Sequence, residues 1–128
     1  MFLPLIGLGK ELGAKEGLAL INGTQFIASF AVLGLHRLHN LLETADIIGA
    51  MSLEGVLGSA SPFDPALHQL RAFQGSMHVA YRLRIMLQNS EMVASHANCG
   101  RVQDPYSFRC MPQVHGASRN AWLHLKEL

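Results

Sequence analysis

The chain reads as an all-α protein built from long helices, and three observations predict this. Apolar residues recur every three or four positions over three stretches. No stretch of any length alternates apolar and polar residues as a half-buried strand would. The first half of the longest stretch is apolar nearly all round, with Phe26, Ile27, Phe30, Val32, Leu33 and Leu35 leaving no polar stripe. A helix of that kind belongs inside a multi-helix bundle, not on the surface of a small domain.

Taken in order, residues 1–21 are apolar and spotted with glycine, and read as a loop or short extended lead-in. Asn22-Gly23-Thr24 offers turn and cap chemistry for a helix beginning at Thr24. The helical pattern then runs from Gln25 to about Gly58, with breaks expected near Gly49 and Gly55. Ser59 to Pro65 holds two prolines and reads as a loop. Phe73, Met77, Ala80, Leu83 and Leu87 mark one face of a second helix that ends near Asn89. Ser90 to Arg101 is polar, ends in glycine and reads as a loop. Asp104 and Pro105 look like a helix start, with Asp at the N-cap and Pro first inside. A last helix from about Val114 puts Val114, Ala117, Ala121, Leu125 and Leu128 on one face.

The balance of residue types bounds the function. With 128 residues the chain suffices for one modest domain. A net charge of +1 points to neither nucleic acid nor an acidic surface. The chain is 49% hydrophobic and only 15% charged, where about 25% charged is usual. A small free domain needs more polar surface than that, so the composition describes part of something larger or a subunit with much surface covered. Two cysteines, Cys99 and Cys110, make no disulfide framework and read as reduced thiols. Met1 to Lys10 has an early proline and no basic run, so no secretory signal is expected. The apolar run from Phe26 to Leu35 is about half of a membrane span. A cytoplasmic protein is the expectation.

Chemistry concentrates in residues 100–110, Gly-Arg-Val-Gln-Asp-Pro-Tyr-Ser-Phe-Arg-Cys. Gln103, Tyr106 and Arg109 stand three apart, a spacing that makes neighbours on a helix. A guanidinium fork suits a carboxylate, and a phenol one turn before it suits a proton-transfer step. An ordinary phenol titrates at about pH 10, so a tyrosine base needs its anion stabilised. A helix N-terminus and a nearby arginine have the right sign. Structural alternatives stand beside each role: a packed tyrosine with its hydroxyl satisfied, an Arg109–Asp104 ion pair, and a backbone hydrogen bond from Gln103 at the helix start.

This stretch, continuing through Met111-Pro112-Gln113-Val114-His115-Gly116, resembles the histidine ammonia-lyase family within the aromatic amino-acid lyases. Lys15-Glu16-Gly17-Leu18-Ala19-Leu20-Ile21-Asn22-Gly23-Thr24 is similar to a second block of that family, and Pro62-Phe63-Asp64 with His68 to a third. The blocks stand in the family's order, and the likeness runs roughly from Leu12 to Leu128.

The resemblance implies that residues 1–128 are the central segment of one helical lyase domain, a partial subunit lacking its N-terminal and C-terminal parts. It implies a homotetramer with sites shared between subunits. It implies elimination of ammonia from L-histidine to give urocanate, in histidine catabolism. The electrophile would be a 4-methylidene-imidazol-5-one (MIO) group made from Ala-Ser-Gly. That tripeptide is absent, since Ala117-Ser118 is followed by Arg119. The isolated chain is therefore expected to be inactive. Tyr106 corresponds to the family tyrosine near the β-proton, Arg109 to a clamp on the substrate carboxylate, and Gln103 and Asn22 to amide contacts with substrate or MIO. For Asn22 an ordinary helix cap is the competing reading.

Two departures weaken the substrate assignment more than the fold. Arg71-Ala72-Phe73-Gln74-Gly75-Ser76 stands where many members have Arg-Pro-His-x-Gly-Gln, and Ala14 where proline is common. Val114-His115-Gly116 leans toward histidine as substrate. A tyrosine or phenylalanine ammonia-lyase or aminomutase, and a non-catalytic helical oligomerisation module, remain the alternatives. No metal is expected: His36 and His39 sit three apart on an apolar helix without a third ligand.

Overall fold

A computed structural model describes residues 11–128. Among these there is no strand. The helices are α1 (Glu16–Asn22), α2 (Gln25–Gly55), α3 (Pro65–Gln69), α4 (Gln74–Met86), α5 (Glu91–Ser95), α6 (Tyr106–Arg109) and α7 (Met111–Glu127), with a 3₁₀ turn at Ser61–Phe63. The chain forms two units, one ending at Leu33 and the other running from Gly34 to Leu128.

In the first unit, the part of the expected lead-in that can be described is partly helical. Residues 1–10 lie outside the described residues, and Glu16–Asn22 forms α1. Lys-Glu-Gly-Leu-Ala-Leu-Ile is a helix-forming run whose charge stands at its start, and Glu16 Oε2 accepts the Gly13 N–H at 2.6 Å. Asn22 is the last residue of α1 and not a cap for the next helix. The Thr24 carbonyl accepts the Ala28 N–H at 2.9 Å, so Thr24 occupies the start of α2. Leu20, Ile21, Phe26, Ile27, Phe30 and Leu33 are exposed.

α2 continues without a break through Gly49. It closes after Gly55 in a Schellman turn, where the Gly58 N–H bonds the Leu53 carbonyl and the Leu57 N–H bonds that of Glu54, both at 2.9 Å. Leu57 takes the left-handed position usually held by glycine, at φ 55°. A branched-chain residue held there costs about 1–2 kcal/mol.

The core of the second unit is a cluster of Ala50, Leu53, Phe63, Val79, Ala80, Leu83, Leu87 and Met111. α4 and α7 are its most extensively packed pair. They approach so closely that a Cβ on Gly75 would lie 2.1 Å from the Gly116 carbonyl oxygen, and one on Gly116 would lie 2.5 Å from the Ser76 nitrogen. This crossing corrects two expected faces. On α7 the buried residues are Met111, Pro112, Gly116 and Arg119, while Val114, Ala117, Ala121, Leu125 and Leu128 are exposed. On α4, Ala80, Leu83 and Leu87 are inside as expected, but Phe73 and Met77 are exposed and Gly75, Ser76 and Val79 are buried. Close approach of backbones at small residues decided which side faces inward, not the apolar stripe.

Charge completes the packing. Asp46 of α2, fully buried, accepts from Arg82 Nε (2.9 Å) and Arg119 Nη2 (2.7 Å), and His115 Nδ1 lies 2.9 Å from its other oxygen. Glu43, one turn earlier, pairs with both arginines. Burial pushes the Asp46 carboxyl up, but the His115 hydrogen bond and the charges of Arg119 and Arg82 outweigh it and hold it below its ordinary value. Glu43 is held low by a similar balance, burial opposing Arg119 and Arg82. Burial, with Arg119 and Arg82 nearby, lowers the His78 imidazole against the pull of Glu43 and Asp46. His39 stacks on Trp122 with ring centres 5.0 Å apart, and Trp122 Nε1 donates to the Leu35 carbonyl.

Candidate functional site

The Gln103–Arg109 stretch sits at the end of α2, held from both sides. Phe108 packs against the core cluster from α6. Asp104 is 6% exposed and reaches the turn after α2, where its Oδ2 accepts the Ser59 N–H at 2.6 Å. Its Oδ1 accepts from Arg101 Nη1 at 3.1 Å, and the same Nη1 donates to the Val56 carbonyl at 3.2 Å. The expected cap geometry is thereby corrected. Pro105 is the N-cap, α6 begins at Tyr106, and the Asp104 side chain bonds no α6 amide. A long-range partner outcompeted the local one. By contrast, Asp64 does cap α3, accepting the Ala66 N–H at 2.8 Å, with Pro65 first inside.

Tyr106 and Arg109 come together as their spacing implied. The Arg109 guanidinium carbon lies over the Tyr106 ring, 5.5 Å from its centre, within cation–π range. α6 has only four residues, so the positive charge beside the phenol is that of Arg109 more than of a helix dipole. Arg109 Nε donates to the Asp104 carbonyl oxygen at 2.9 Å. The alternative of an Arg109–Asp104 ion pair is not what forms, because the Asp104 carboxylate is spent on Ser59 and Arg101. Gln103 lies before α6 and not on it, so the three do not share a helix face. Gln103, Tyr106 and Arg109 nevertheless line one shallow concavity of about 610 Å³. Gln103 and Arg109 also line a second, of about 410 Å³, beside the turn at Ser59 and the segment around His96. Tyr106 is 70% exposed.

Asn22 belongs to the first unit and is exposed. His115, whose place in the sequence leaned toward histidine as substrate, is engaged with Asp46 in the interior and lines neither concavity. Asp104 and Arg101 as tethers, and the Asp46 cluster, were not anticipated. A carboxylate at position 46, on the α2 face that also carries Leu42, Ala50 and Leu53, was the available signal of buried cations opposite.

Comparison with known proteins follows the same lines. The family model described as "Aromatic amino acid lyase" matches residues 5–128. A histidine ammonia-lyase of Myxococcus xanthus is 56% identical over 108 residues, covering 84% of this chain and 21% of its own length. One from Gloeobacter violaceus is 53% identical over 111 residues, covering 87% of this chain and 22% of its own. One from Caenorhabditis elegans is 43% identical over 122 residues. Among solved structures, Pantoea agglomerans phenylalanine aminomutase superposes with a TM-score of 0.77 at 31% identity, covering 92% of this chain and 26% of that one. The chain thus spans about a fifth of the length of the bacterial relatives it matches. Motif blocks, helical architecture and these likenesses agree, and the chain belongs to the aromatic amino acid lyase family.

Proposed function

We propose that residues 1–128 form the central segment of an ammonia-lyase subunit that converts L-histidine to urocanate and ammonia. The carrying observation is Arg109 held against Tyr106 at the edge of a concavity that Gln103 also lines. The names of the relatives that are 52–56% identical support histidine over phenylalanine or tyrosine. The phenylalanine aminomutase, at 31%, favours the other substrates only through shared fold.

Each residue has a task. The planar fork of Arg109 takes the substrate carboxylate through paired hydrogen bonds, which a lysine ammonium does poorly. That grip holds the amino acid with its β-carbon toward Tyr106, whose oxygen accepts the β-proton. The guanidinium over the ring keeps a positive charge beside Tyr106 during that transfer. The exposed amides of Gln103 and Asn22 each carry an acceptor and two donors, a set that fits an imidazolone ring. When bound, the MIO group supplies the electrophile that makes the amine a leaving group, and its Ala-Ser-Gly comes from polypeptide outside these residues. The open Tyr106 face and the exposed apolar surfaces on α2 and α7 support a homotetramer whose subunits cover one another. A cytoplasmic location fits the two unpaired thiols.

A substrate panel on the complete subunit tests this reading. L-histidine should give urocanate, followed by its ultraviolet absorbance, while L-phenylalanine and L-tyrosine are turned over far more slowly. Preference for either aromatic substrate overturns the histidine assignment. Absence of Ala-Ser-Gly from the flanking coding sequence would favour a non-catalytic oligomerisation module.

A further inference from the structure

We infer that Asp104 is a positioning residue for Arg109, one that fixes the guanidinium while leaving its charge unspent. The inference rests on the carboxylate-clamp role proposed for Arg109. The nearest carboxylate in sequence belongs to Asp104, five residues away. Had the two paired, the fork would be neutralised and unavailable to a substrate. The Asp104 carboxylate is instead turned to the Ser59 N–H and to Arg101. Arg109 receives only the neutral Asp104 carbonyl, at its Nε. Its two Nη groups make no ion pair among the described residues.

The turn that receives Asp104 is built for the purpose. Leu57 at φ 55° reverses the chain after α2 and turns the Ser59 N–H toward Asp104. Gly58 leaves the approach open, since a Cβ there would lie 2.5 Å from Leu53 Cδ1 and 3.3 Å from Asp104 Oδ2. Arg101 closes the clasp by bridging Val56 and Asp104. Strain held at a non-glycine residue beside a site is a recurrent feature of preorganised centres. The chain of contacts runs from the turn through the Asp104 carboxylate and carbonyl to Arg109 Nε. It ends at a guanidinium whose free edge borders the concavity.

The test uses the complete subunit with Asp104→Ala, Asp104→Asn, Arg101→Gln and Arg109→Lys. It reads kcat and KM for L-histidine and the dissociation constant of imidazolepropionate, which has no amino group to lose. Asp104→Ala should raise KM and the probe's dissociation constant about tenfold with kcat within about threefold, the signature of lost carboxylate binding. Asp104→Asn, which keeps an acceptor for Ser59, should recover most of that loss. A lower melting temperature with KM and probe affinity unchanged overturns the inference. Should Asp104→Ala fail to fold, Arg101→Gln decides: weakened probe binding supports positioning, unchanged binding overturns it. Arg109→Lys separates the two levels. If it leaves KM unchanged, the clamp reading itself fails; if it raises KM while the Asp104 variants do not, only the positioning role fails.

Discussion

Arg109 does two things in a small space, since its charge lies over the Tyr106 ring and its outer edge borders the concavity. These separate in kinetics. Arg109→Lys keeps a cation but loses the fork, so KM for L-histidine should rise about tenfold or more. The spacing of Gln103, Tyr106 and Arg109 made the phenol–guanidinium pair legible in the sequence. Asp104 was misread because its side chain found a partner 45 residues away, and local cap rules see only neighbours in sequence. Asn22, for which a helix cap was the competing reading, ends a helix that its glycine-spotted surroundings concealed.

α4 and α7 meet at Gly75 and Gly116, and that crossing is intolerant of a methyl group. Gly116→Ala would set a Cβ against the Ser76 backbone, which cannot swing aside like a side-chain tip. It should cost about 1–3 kcal/mol in urea denaturation, the range for overpacking. An unchanged midpoint would show that the helices separate freely. The three long helices were legible because each spans several turns, enough for a period to register. α1, α3, α5 and the 3₁₀ turn were not, because seven residues or fewer carry little period and form only in tertiary context. Which face of α7 is buried was equally hidden, since glycine contributes nothing to an apolar count.

The same helices carry an acid-sensitive seam. Glu43, Asp46 and His78 are all shifted downward, so each contributes stability that is complete above its unfolded value and lost as pH falls through its folded one. His78 is the first to act, below its ordinary 6.5. Glu43 and Asp46 follow, below 4.5 and 3.8. Asp46→Asn should flatten the lowest part of this decline while costing about 1–3 kcal/mol at neutral pH, because Arg82 and Arg119 lose their buried carboxylate and keep only Glu43. Denaturation curves at pH 7, pH 5 and pH 3 check both signs.

Across the whole chain, sparse charge and abundant apolar surface were the clearest message of the composition. In the first unit Phe26 and Ile27 are 70% and 72% exposed, and in the second Val114 and Leu125 remain more than half or half exposed. Patches of this kind seldom stay bare. Residues 1–128 expressed alone should therefore associate in light scattering and produce no urocanate. A stable monomer would mark an independent domain and count against the partial-subunit reading.

Replacement of Tyr106 by Phe in the complete subunit probes the proposed chemistry most directly, since it removes one oxygen and little else. Urocanate formation should fall at least about a hundredfold, the contribution expected of a positioned acid–base group, with L-histidine binding nearly unchanged. Turnover at the rate of the unaltered enzyme would contradict the role given to the phenol and, with it, the site built around residues 103–109.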